Sequence, residues 1–200
     1  MIQSVNFSFD PVNHIYRLGS DIIPSVTQIL SAEGLVDYIG VPAESMESAR
    51  LFGTAVHKAC ELWDKGILDD TVLSTPLIPY LAGWKKFVAD FKPIVNQEWI
   101  EKPICSYRHQ FGTTSDRVWS INNKLTVVEI KSTATMQKAV GIQLAGQTIA
   151  VEENLGRVKQ RWAVQLKGDG TYQLYTYDDR ADKTVFVSAL NVYRWKRENL

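Results

Sequence analysis

The chain is poor in cysteine, with only Cys60 and Cys105 in 200 residues. Two thiols so far apart make neither a disulfide framework nor a metal-binding spacing, which excludes a stapled fold and a cysteine-built metal centre. No apolar run is long enough for a membrane span. The opening stretch, MIQSVNFSFD, lacks a basic region followed by an apolar one. The expectation is a cytoplasmic protein with no membrane partner. Charge of one sign is also lacking, since 22 Lys and Arg balance 22 Asp and Glu. Composition therefore does not announce a nucleic-acid partner, because phosphate contact normally recruits Lys and Arg. Local clusters at Lys85-Lys86, at Arg157, Lys159 and Arg161, and at Arg194, Lys196 and Arg197 partly answer that absence. Each serves equally well as a solvated face. No repeat, low-complexity stretch or linker divides the chain, and 45% hydrophobic content suits one domain with a substantial core.

What is present centres on residues 111–132, FGTTSDRVWSINNKLTVVEIKS. The pattern predicts two strands joined by a turn at Asn122-Asn123, since Asn tolerates left-handed backbone angles. The first strand carries Asp116; the second is apolar and β-branched until Glu129. Side chains alternate along a strand, so Glu129 and Lys131 share one face while Ile130 takes the other. Two carboxylates and an amine at the end of a buried strand pair are costly unless they pair or hold a metal. Glu-x-Lys alone recurs by chance and also fits an exposed ion pair. Its company raises its meaning: Gly112-x-x-x-Asp116 before it and Gly53-Thr54-Ala55-Val56-His57 upstream.

Around this centre, alternation over 7–18 with a turn at Asp10-Pro11-Val12-Asn13 predicts an N-terminal β-hairpin. Ser25 and Gln28 fit a capping box for a short helix. His14 has no acidic or His partner at ligand spacing and reads as structural or exposed. Pro42 suits the first turn of a long helix ended by Gly66. Met46, Ala49, Phe52, Val56, Ala59 and Trp63 recur at helical spacing as its buried stripe. Arg50, His57 and Glu61 fall on an adjoining stripe. A second amphipathic helix is predicted over 76–91, then a strand within 94–104 holding Glu98 and Glu101. A helix over 137–153 carries Gln143 and Gln147 four residues apart. A hairpin over 157–177 and a final helix capped by Asp182 complete the chain.

Taken together, these residues resemble the PD-(D/E)XK nuclease superfamily, in its RecB-like and phage-type exonuclease branch, over about residues 7–151. The resemblance implies an α/β fold with a restriction-endonuclease-like core: a central mixed β-sheet flanked by helices. Residues 1–35 would be the lead-in hairpin and short helix, 42–153 the catalytic core, and 157–200 a C-terminal β-hairpin plus helix. It implies Asp116, Glu129, Lys131 and His57 as catalytic residues. His57, Asp116, Glu129 and the Ile130 backbone carbonyl would be ligands to one or two Mg²⁺ or Mn²⁺ ions, with Glu98 as a further candidate. Arg50, Gln143 and Gln147 become candidates for contact with DNA; the family's Gln-x-x-x-Tyr is here Gln-x-x-x-Gln. Some relatives hold an iron–sulfur cluster on four cysteines, which this chain lacks. The implied activity is metal-dependent DNA hydrolysis, foremost by an exonuclease of phage recombination, replication or repair. Its partner would be DNA, with a single-strand-annealing or replication protein beside it, in the host cytoplasm if phage-encoded. A structure-specific endonuclease and a non-cleaving nucleic-acid-binding relative are the alternatives.

Overall fold

The apolar alternation resolves into two sheets. In a computed structural model describing residues 6–36 and 43–200, eight strands and five α-helices are found. Strands β1 (Phe7–Asp10), β2 (Ile15–Leu18) and β3 (Asp21–Ile23) form an antiparallel N-terminal sheet, one strand more than the predicted hairpin. Helix α1 (Val26–Ala32) begins on the expected capping box: Gln28 N donates to Ser25 Oγ at 3.1 Å and Ser25 N to Gln28 Oε1 at 2.8 Å.

The central sheet is mixed, ordered β4-β5-β6-β7-β8, where β4 is Ile100–Ser106, β5 Phe111–Ile121, β6 Lys124–Lys131, β7 Gln160–Leu166 and β8 Tyr172–Thr176. Only β6 and β7 run parallel, because the chain crosses between them through α4 (Ala139–Asn154). The β5–β6 turn is the predicted one, with Asn122 and Asn123 at φ 51° and 60°.

Helices cover both faces. On one face, α4, α1 and α5 (Ala181–Asn199) bury Leu144, Ile29 and Leu190 against Val118, Val127 and Ala163. On the other, α2 (Ala43–Asp64) and α3 (Ile78–Phe91) bury Val56, Cys60 and Trp84 against Trp119, Val128 and Ile130. The N-terminal sheet has a smaller cluster of its own around Tyr16, Leu18 and Ile23.

Two expectations need correction. The α2 stripe is covered only from Phe52 onward, where Phe52 meets Tyr80 of α3; Met46 is 36% exposed and Ala49 is exposed. Pro42 lies outside the described residues. Asp182 does not cap α5: Asp179 Oδ1 accepts from Ala181 N at 2.8 Å, while Asp182 pairs with Arg161 at 2.9 Å. The acid that precedes the helix reaches its first free N–H, and the buried guanidinium claims the one inside it. Among the described residues, no helix is long and apolar enough to cross a membrane.

Candidate metal centre

The site grows out of a fork in the sheet. Strand β5 pairs with β4 from Phe111 to Arg117 and with β6 from Arg117 to Ile121, so the two ladders meet at one residue. Beyond Arg117–Val128, β5 and β6 part, and the end of β6 is paired only with β7. A backbone N–H buried in such a fork needs a substitute acceptor. Ile130 N finds it in Asp116 Oδ2 at 2.6 Å.

His57 enters the fork from α2. Its Nε2 lies 3.0 Å from Ile130 O, and a carbonyl only accepts, so Nε2 carries a proton. The opposite ring nitrogen, Nδ1, faces Asp116 Oδ1 at 3.4 Å and Glu101 Oε1 at 3.7 Å. One donor atom from each of His57, Glu101 and Asp116 falls within 4.8 Å of the others. Burial works against charge on both Asp116 and His57, but their mutual attraction prevails. The Asp116 carboxyl is held below the usual carboxylate range, helped by Ile130 N–H, and His57 is pushed well above the ordinary histidine value. Burial, reinforced by the neighbouring Asp116 charge, pushes Glu101 up.

Glu101 is the residue that sequence pattern undervalued. It stands on β4 opposite Asp116, in left-handed backbone at φ 51°, a costly conformation for a non-glycine residue inside a strand. Glu98, the expected acid, precedes the strand on a 3₁₀ turn (Gln97–Trp99), where Asn96 Oδ1 accepts from its backbone N at 3.2 Å. Its side chain is exposed and does not line the cavity. The correction follows from the Asn96 cap: it holds the chain in a turn, and β4 starts two residues after Glu98.

Glu129 and Lys131 sit on one face as expected, with Lys131 Nζ 2.8 Å from Glu129 Oε1. Gln143 and Gln147, the candidates for DNA contact, both reach Glu129 from α4: Gln143 Nε2 donates to Oε1 at 2.6 Å and Gln147 Nε2 to Oε2 at 2.7 Å. Gln147 is only 1% exposed, so it serves the carboxylate. A buried carboxylate needs such donors, and the four-residue spacing lets one helix face supply both. Gln143 also accepts from Lys131 Nζ at 3.1 Å. Arg50 remains on the cavity wall, 63% exposed, and its guanidinium bonds Glu47 twice, at 2.7 and 2.8 Å.

Behind the acids, Arg117 is fully buried. Its Nε bonds Asp64 Oδ2 at 2.6 Å, and its Nη1 bonds Glu101 Oε1 at 3.0 Å. Two tryptophan rings, Trp84 and Trp119, lie 5.5 and 5.8 Å from the guanidinium carbon. No sequence pattern marked this pair.

His57, Glu101, Asp116 and Glu129 all border one cavity of about 520 Å³. Two carboxylates and an imidazole converging on one point suit a divalent cation that prefers oxygen and tolerates nitrogen, Mn²⁺ above Mg²⁺. The donor set fits such an ion. Compared with known proteins, the chain matches no family model and no curated protein sequence.

Proposed function

We propose that this protein is a metal-dependent DNA nuclease that hydrolyses phosphodiester bonds, of the PD-(D/E)XK type. The observation that carries the reading is the convergence of His57, Glu101 and Asp116 on one open cavity that Glu129 also borders, with Lys131 bonded to Glu129. A purely structural charge cluster has no need of an imidazole between two carboxylates at a cavity floor. Perturbed titratable groups gathered in a cleft are the usual mark of a working site.

His57, Glu101 and Asp116 would hold the ion, with Glu129 and the Ile130 carbonyl beside them. A bound divalent cation supplies acidification of water and polarisation of a phosphoryl oxygen. The chain's own residues do the rest. Lys131 presents an ammonium where negative charge gathers on the scissile phosphate and aligns the attacking water. Glu129 fixes that ammonium, and Gln143 and Gln147 fix Glu129. Asp116, held ionised, ties the fork shut through Ile130 N–H.

The test is incubation of linear and circular DNA with the protein in Mg²⁺, Mn²⁺ or EDTA. Loss of linear DNA alone, abolished by EDTA, is the expected result for an exonuclease; nicked circles would mark an endonuclease. Lys131→Ala and Glu129→Gln should each lower the rate about a hundredfold or more while leaving the folded protein intact by circular dichroism. Wild-type rates in Lys131→Ala would overturn this assignment of roles.

A further inference from the structure

The cavity above the acidic cluster has a second wall that the proposed chemistry does not use. The N-terminal sheet contributes Phe9, Pro11, His14 and Tyr16 to it. Three of these form a ring cluster: Phe9 and Tyr16 have centroids 4.6 Å apart, His14 meets Phe9 edge-on at 5.4 Å and Tyr16 edge-on at 5.2 Å. Tyr16 is anchored, buried and hydrogen-bonded to Thr114 Oγ1 at 2.8 Å. Phe9 is half-buried and His14 exposed. The turn between them is braced by Asp10, whose carboxylate accepts from Val12 N, Asn13 N and Asn13 Nδ2 at 2.7–3.2 Å. His14 then takes a left-handed φ of 52°, which carries its ring to the cavity rim.

Charge and size limit what this wall receives. Duplex-binding surfaces neutralise about six to ten phosphates with Lys and Arg. Among the described residues lining this cavity, Arg50 is the one Lys or Arg, and it is bonded to Glu47. A volume of about 520 Å³ is that of a small-ligand site, sized for about one or two nucleotides. A second cavity of about 330 Å³ lies beside Lys131 and adjoins the first, sharing Thr27 and Gln143 with it. The two adjoining cavities make a groove with rings at one end and an ammonium at the other.

We infer that the groove takes one strand of DNA, its end base seated on the Phe9–His14 rings and its backbone laid across the acidic floor. The cleft therefore favours single-stranded or frayed ends over blunt duplex. Stacking is tolerant of sequence because every base has a π face, so the preference is for strandedness and not for a base. The identity of the strand rests on the nuclease reading, and the following experiment separates the two.

A short single-stranded oligonucleotide with 2-aminopurine at its end, in Ca²⁺, reports stacking by quenching. Wild type is compared with Phe9→Leu, which keeps an apolar side chain, and His14→Asn, which keeps a residue tolerant of left-handed backbone. Quenching should fall in both variants, with a loss of affinity of about fivefold or more, the scale of one stacked base. Replacing the end base by an abasic residue should weaken wild type similarly and the variants little. In Mn²⁺, wild type should degrade the single strand about tenfold faster than the blunt duplex of the same sequence. Equal quenching in all three proteins would overturn the inference even if wild type cuts DNA. Faster cutting of blunt duplex than of single strand would do the same. If wild type cuts neither substrate, the nuclease reading fails, and the quenching data alone decide whether the rings hold a base.

Discussion

At the residue scale, His57 sets the pH behaviour. Its Nε2 proton is committed to Ile130 O, so an ion bound at Nδ1 displaces the second proton. Metal binding therefore weakens as pH falls through the raised folded pKa of His57 and strengthens above it. The metal-free protein runs the other way. A histidine whose folded pKa is raised contributes stability fully below its unfolded value of about 6.5 and loses it as pH rises through the folded value. Thermal melts should show both trends: in EDTA the Tm contribution of His57 declines as pH rises, while the Tm gain on adding Mn²⁺ grows. Ligand-linked stabilisation follows affinity, so the same melts rank the acids. Glu101→Gln should lose most of the Mn²⁺ gain, an affinity loss of at least about tenfold, and Glu98→Gln should keep it. A Glu98→Gln protein that loses the gain, or a gain indifferent to pH, would remove the His57–Glu101–Asp116 assignment.

At the element scale, the site depends on how the N-terminal sheet docks on β5. Gly112 is the contact: its N donates to Pro24 O at 2.8 Å, it bridges Ser25, and a Cβ there would overlap the Tyr16 side chain. Gly112→Ala therefore forces the ring, and the wall it supports, away from the fork. Overpacking of this kind costs about 1–3 kcal/mol, several degrees of Tm in a domain this size. An unchanged melting curve would mean the two sheets slide freely. Elements of this kind were legible because hairpins and caps are local. Asn122-Asn123, Ser25/Gln28 and the apolar run into Glu129 each declare themselves within a few residues. Glu101 did not, since its worth comes from a left-handed φ and a partner on β5 that no periodicity encodes. Gln143 and Gln147 showed their spacing but not which element they faced. The α2 stripe runs further in sequence than its cover does, because helical spacing gives a face and not the extent of its partner.

At the scale of the whole molecule, Arg117 holds the assembly together. It is the residue where the two β5 ladders meet, and its guanidinium joins Asp64 at the end of α2 to Glu101 on β4 under Trp84 of α3. Trp84 Nε1 also donates to Asp64 Oδ1 at 2.9 Å, so three elements converge on one ion pair with 0% and 1% side-chain exposure. A buried pair gives little net stability over an apolar filling, but removing one partner strands the other charge at about 3–5 kcal/mol. Here removal strands Asp64 and returns Glu101 to the acids of the cluster uncompensated. Nη2 has no hydrogen-bond partner among the described residues, a cost that the two tryptophan faces partly offset. Arg117→Met should therefore shift the urea midpoint by that several-kcal/mol loss, a large part of the roughly 5–15 kcal/mol that holds a domain folded. Arg117→Lys should recover little, because one ammonium lacks the fork that reaches two carboxylates. Asp64→Asn combined with Arg117→Met should be less damaging than Arg117→Met alone, since the stranded charge is gone. If the single and double variants unfold at the same urea concentration, the Asp64–Arg117 pair is not what ties the helices to the forked sheet.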